Sequence, residues 1–144
     1  WQAVGRELGL DGQALAELRA NFYRGDRLNV ALVELIRDLR AQGVLIGLLS
    51  NNTPDLAGEL LEHKVLDLFD AQVISAEIGI MKPDPRPYEL ILQKLGVQPA
   101  EALFVDDFAE NVEAARVVGM AAVHYQPGVD LRREVEVWLD EAER

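Results

Sequence analysis

From residue 28 onward the chain alternates between two spacings of apolar residues. Leu28, Ala31, Leu32, Leu35, Ile36 and Leu39 recur at intervals of three and four, one stripe of a helix, and Gly43 stops it. Val44 to Leu49 is then almost unbroken apolar sequence, the pattern of a strand buried on both faces. Thr53-Pro54 supplies a capping residue and a proline suited to a first helical turn, which predicts a helix to about His63, followed by a short strand over 71–75. Asp84-Pro85 repeats the cap-and-proline signal; Tyr88, Ile91, Leu92 and Leu95 form one apolar face, and Gly96 ends it. A strand over 103–105, a helix over 109–118 closed by Gly119, a strand over 121–125 and a last helix carrying Leu131, Val135 and Trp138 complete the series. Strands and helices taking turns predict an α/β fold, a parallel sheet covered by helices on both faces. Residues 1–27 break the rule. Val4, Leu8 and Leu10, then Leu15, Leu18 and Phe22, have helical spacing with no strand pattern, and Gly25-Asp26 interrupts them.

Composition narrows the function classes. With 144 residues and 49% hydrophobic content the chain can bury a single-domain core. Its formal charge of −11 argues against nonspecific binding to nucleic acid or to an anionic membrane, so a small anionic ligand would need a local cation. The sequence has no cysteine, which excludes disulfides and thiolate metal sites, and no apolar run of membrane-spanning length. A cytoplasmic protein is the expectation. The chain opens on Trp1, in a stretch unlike a signal peptide, which suggests a start partway through a larger protein.

Polar groups punctuate the ends of three predicted strands. In open α/β sheets ligands bind beyond the carboxyl ends of the strands, so Ser50, Lys82 and the pair Asp106-Asp107 can converge despite their separation in sequence. The Ser50 hydroxyl and the N–H groups of Asn51 and Asn52 could form an anion-binding nest, or could instead close an ordinary turn. Lys82 lies just before a helix N-terminus, where an anion would relieve the conflict between ammonium and helix dipole; a solvated lysine balanced by Asp84 is the alternative. Two adjacent carboxylates favour a hard cation such as Mg²⁺, although Asp107 could equally cap the helix that follows. Asn111, four residues after Asp107, either faces the same site or satisfies the first helical turn. His63 and His124 read as surface or packing residues.

Taken together, Leu48-Leu49-Ser50-Asn51-Asn52, the run from Gly79 through Lys82-Pro83-Asp84-Pro85 to Glu89, and Phe104-Val105-Asp106-Asp107 with Asn111 resemble the second, third and fourth motifs of the haloacid dehalogenase (HAD) superfamily. The resemblance implies a Rossmann-like parallel sheet flanked by helices, with residues 1–27 the remnant of a small helical cap and residues 28–144 the core. It implies that Ser50 and the Asn51 backbone hold a phosphoryl group, that Lys82 balances its charge, and that Asp106 binds Mg²⁺ with Asp107 assisting. It also favours a phosphatase of small phosphate monoesters over a true dehalogenase.

One family element is missing from the sequence. The family's nucleophile is the first Asp of an Asp-x-Asp motif at the end of its first strand, and none of the eleven Asp residues here has another two positions away. The fold is therefore expected to be incomplete, lacking the first central strand that lies between the strands of Ser50 and Asp106 in the family order. Those strands must then pair with each other, with a missing N-terminal segment or with another chain. Residues 1–144 alone should be inactive, either as the C-terminal part of a Mg²⁺-dependent phosphohydrolase or as a noncatalytic domain that binds a phosphorylated ligand or a protein. A phosphoacceptor signalling domain uses similar groups, but its acidic pair comes first and its lysine last.

Overall fold

The computed structural model describes residue 13, residues 29–52, residue 58 and residues 64–144. The expected cap remnant in residues 1–27, the helix opened by Thr53-Pro54 and His63 lie outside these, Gln13 and Gly58 apart. The chain divides into two compact units, Trp1–Ala31 and Leu32–Arg144, and the second carries all four described strands and Ser50, Lys82, Asp106 and Asp107.

The described elements run α1 (Val30–Ala41), β1 (Gly47–Ser50), β2 (Ala71–Ile74), a one-turn helix α2 (Ser75–Ile78), α3 (Pro85–Leu95), β3 (Leu103–Asp106), α4 (Ala109–Val118), β4 (Ala121–His124) and α5 (Leu131–Ala142). Single 3₁₀ turns at Leu66–Leu68 and Pro99–Glu101 lead into β2 and β3. From β2 onward the predicted alternation is therefore present, with α2 as an added turn, and β1 is confined to the end of its apolar run.

Both strand pairings are parallel. Gly47 to Ser50 lie opposite Ala71 to Ile74, and Leu103 to Asp106 lie opposite Ala121 to His124. Among the described residues these make two separate two-stranded sheets, and β1 does not pair with β3. The direct pairing allowed by the sequence does not occur.

Two apolar clusters tie the sheets together through helices. Tyr88 and Leu92 of α3 pack with Phe104 of β3, Ala115 of α4 and Met120, and Leu49 of β1 joins them. Leu35 and Leu39 of α1 pack with Val135 of α5, joined by Ile46 and by Leu103. Consecutive strand residues point to opposite faces, so Leu103 and Phe104 place α1 and α5 on one side of β3 and α3 and α4 on the other. Trp138 is only half-buried; Val135 is the buried residue of α5.

Local chemistry sets the element ends. Asp84 caps α3 by accepting from the Arg86 N–H, and Pro85 opens the helix. Gly96 ends it with φ 70°, a left-handed conformation in which a side chain would be strained. Gly47 permits a close approach of α3 to β1: a Cβ there would stand 2.9 Å from Leu95 Cδ1 and 3.0 Å from Ile91 Cγ1. Asp70 registers the sheet edge, its N–H donating to the Ile46 carbonyl at 2.7 Å while its Oδ2 accepts from the Ile46 N–H at 2.7 Å and from Arg40 at 2.6 Å.

Candidate functional site

The site forms where the carboxyl ends of β1 and β3 meet the loop before α3. Lys82 is 8% exposed, and its ammonium donates to the Leu49 carbonyl at 3.1 Å and to Asp106 Oδ2 at 2.5 Å. One nitrogen thus bridges the two sheets. The Phe104 ring lies 5.4 Å from the ammonium, adding a cation–π contact. The solvated alternative for this lysine is excluded, since Asp84 pairs with Arg86 instead. The anion that Lys82 pairs with is the Asp106 carboxylate.

The side chain of Asp106 is 6% exposed and hydrogen-bonded at both oxygens. Oδ1 accepts from the Phe108 N–H at 2.8 Å, and Oδ2 accepts from Asn111 at 3.2 Å as well as from Lys82. Burial pushes its pKa up, but the Lys82 hydrogen bond, the Phe108 N–H, the Lys82 charge and Asn111 outweigh it and leave the carboxyl below the ordinary value. Asp107 is exposed, and no described group donates to its carboxylate. It is not the cap of α4, because the capping position belongs to Phe108, which makes no side-chain capping bond. The two acids therefore differ: one is held rigidly in the protein, the other is presented to solvent.

The carboxamide of Asn51 brackets the Lys82 main chain, with Nδ2 donating to the Lys82 carbonyl at 3.0 Å and Oδ1 accepting from the Lys82 N–H at 2.9 Å. This side chain positions the lysine, leaving the Asn51 main-chain N–H as the group suited to an anion. Ser75, the first residue of α2, holds the next residue: its hydroxyl accepts from the Asn52 N–H at 3.0 Å and donates to the Asn52 carbonyl at 3.3 Å. Ser50 ends β1 half-buried, and its hydroxyl has no partner among the described residues.

Asn111 faces the site and is buried, so its helical position is turned inward toward Asp106. Behind it, the Tyr88 hydroxyl donates to the Asn111 carbonyl at 2.8 Å, and the Tyr88 ring meets Phe104 edge-on with centroids 5.1 Å apart. In the sequence Tyr88 belongs to an apolar stripe and to the run from Gly79 to Glu89, whereas Ser75 and His124 carry no motif signal. Among the described residues no three of His, Cys, Asp or Glu cluster as a metal-binding group.

Parallel strand pairs flanked by helices thus bring Lys82 and Asp106 together at the carboxyl ends of β1 and β3. The sequence matches the haloacid dehalogenase-like hydrolase family over residues 3–119, and the chain belongs to that family. It is similar to the sesquiterpene phosphatase astK of Aspergillus oryzae, 35% identical over 86% of this chain and 64% of the relative. It also resembles a HAD phosphatase from Thermococcus onnurineus, with a TM-score of 0.75 at 25% identity, covering 90% of this chain and 60% of that one. A HAD family enzyme from Bacteroides thetaiotaomicron, solved with magnesium and inorganic phosphate, matches with a TM-score of 0.61 at 25% identity, over 72% of this chain and 55% of that one. The chain thus spans between about half and two-thirds of the length of these proteins. Among the described residues no helix is long and apolar enough to cross a membrane.

Proposed function

We propose that this chain is the C-terminal part of a Mg²⁺-dependent phosphohydrolase that cleaves a small phosphate monoester through an aspartyl-phosphate, with the nucleophilic Asp supplied from outside residues 1–144. The observation that carries this reading is the Lys82 ammonium, bonded at once to the end of β1 and to Asp106. A buried cation fixed at two strand ends is suited to balancing a phosphoryl group bound there.

In this reading the groups divide the labour. The Ser50 hydroxyl and the Asn51 main-chain N–H bind phosphoryl oxygens, while the Asn51 carboxamide keeps Lys82 in place. The nucleophilic carboxylate attacks phosphorus as the bond to the substrate oxygen breaks, that oxygen takes its proton from the second Asp of the expected Asp-x-Asp, and water, giving its proton back to the same Asp, then cleaves the acyl phosphate to restore the carboxylate and release inorganic phosphate. Mg²⁺ commonly takes only one or two carboxylates from protein and keeps several waters, so two adjacent acids with one carboxylate open to solvent fit its demands. Asp106 and Asp107 would hold it. When bound, it would supply charge neutralisation at the phosphoryl oxygens.

The test is to express the open reading frame extended upstream of the Trp1 codon, in which a strand ending in Asp-x-Asp is expected, and to screen phosphate monoesters with Mg²⁺. Turnover should be abolished in Lys82→Ala and Asp106→Ala; activity persisting in both would refute the assigned roles. A second reading, a noncatalytic domain that binds a phosphorylated ligand or a protein partner, is favoured by the lack of any Asp-x-Asp in the 144 residues. An extended frame that encodes no such motif, yet yields a protein that binds phosphate, would establish it.

A further inference from the structure

His124 is the last residue of β4 and lies opposite Asp106 in the parallel register. Just beyond that pair β4 holds the acidic loop twice: the Tyr125 N–H donates to the Asp106 carbonyl at 2.8 Å, and His124 Nε2 lies 2.9 Å from the Asp107 carbonyl oxygen. A carbonyl oxygen can only accept, so Nε2 carries the proton in this bond. The same peptide unit is held at its other end, where the Phe108 N–H donates to Asp106 Oδ1. The peptide between Asp107 and Phe108 is therefore bonded at its oxygen by an imidazole and at its nitrogen by the buried carboxylate. Rotating it would break both bonds together.

We propose that His124 is a positioning residue for the acidic pair: by fixing this peptide it sets the direction of the Asp106 carboxylate and the point from which the Asp107 side chain departs. The inference rests on the reading in which those two acids hold Mg²⁺. Groups that orient metal-binding side chains from behind tune metal affinity by about tenfold or more when removed. His124 touches neither carboxylate, so its effect passes entirely through the backbone.

The test measures Mg²⁺ affinity by titration calorimetry on the full-length protein, together with the melting temperature without metal. Gln places an amide N–H near the position of Nε2, whereas Asn, shorter by one methylene, does not reach the carbonyl. His124→Gln should bind Mg²⁺ within about threefold of wild type, and His124→Asn and His124→Ala should bind about tenfold more weakly. The melting temperatures of the Gln and Asn variants should agree, and the contrast between these two carries the test even if His124→Ala fails to fold. Equal affinity in the Gln and Asn variants would overturn the inference alone, provided Asp107→Ala weakens binding. Wild-type protein that binds no Mg²⁺ would overturn both the inference and the metal reading beneath it.

Discussion

The Asn51 side chain and the Lys82 main chain are joined by two hydrogen bonds, 2.9 and 3.0 Å long, so the end of β1 and the loop before α3 behave as one unit. Removing the bracket leaves a partly buried N–H and carbonyl without partners, a loss of about 1–3 kcal/mol, and frees the lysine to shift. Asn51→Ala in the full-length enzyme should lower kcat/KM by about a hundredfold, the scale of a misplaced catalytic group. Asn51→Asp should also impair it, because a carboxylate oxygen would then face the Lys82 carbonyl. Phosphate-release kinetics decide the matter, and unaltered kcat/KM in Asn51→Ala would show the bracket to be dispensable.

Lys82 and Asp106 form a buried pair in which each charge depends on the other. Lys82→Met should destabilise the protein by about 3–5 kcal/mol, since the carboxylate is left buried without its counter-ion. The Asp106 pKa should rise, burial being no longer offset by the ammonium. Combining Lys82→Met with Asp106→Asn should recover part of the lost stability, which a double-mutant cycle of urea unfolding would measure. Losses that simply add would mean that the pair contributes no coupling.

Asp106 and Asp70 both have folded-state pKa values below the ordinary 3.8. For Asp70 the Ile46 N–H is the largest cause, followed by the Arg40 hydrogen bond. A lowered folded pKa means that the unfolded chain binds protons first, so the contribution is fully present above the unfolded value and is lost as pH falls through the folded one. Stability should decline as pH drops below 3.8, and the decline should be shallower in Asp70→Asn. Urea midpoints from about pH 5 down to about pH 3 would reveal it. A slope identical to wild type would contradict the assignment.

Among the described residues, the β1 and β3 edges that do not pair with each other have no other strand beside them, which leaves strand backbone open there. Residues 1–144 on their own should therefore unfold over a broad, low-temperature range or self-associate. Calorimetry with sedimentation would check this, and a sharp, monomeric, cooperative transition would refute it.

The alternation of helix and strand was legible because burial dictates spacing: the stripe from Leu28 to Leu39 and the apolar run before Ser50 mark α1 and β1 within a few residues. The motif residues were legible because strand ends concentrate polar groups, and Lys82 and Asp106 do meet. Positioning residues were not. Asn51 serves Lys82 through main-chain atoms, whose directions no residue type announces, and His124 reaches Asp107 only because the β3–β4 register sets it opposite Asp106. Gly47 likewise reads as an interruption in an apolar strand until α3 is seen lying against it.

Tyr88 is fully buried, and burial, with the Asp106 and Glu110 charges, pushes its hydroxyl up to about 12. It consequently keeps its proton, and remains a donor to the Asn111 carbonyl, at any pH a cell reaches. The joint between α3 and α4 is in this sense blind to acidity, so titration of the charged groups in front of it can proceed without loosening the helices that carry them.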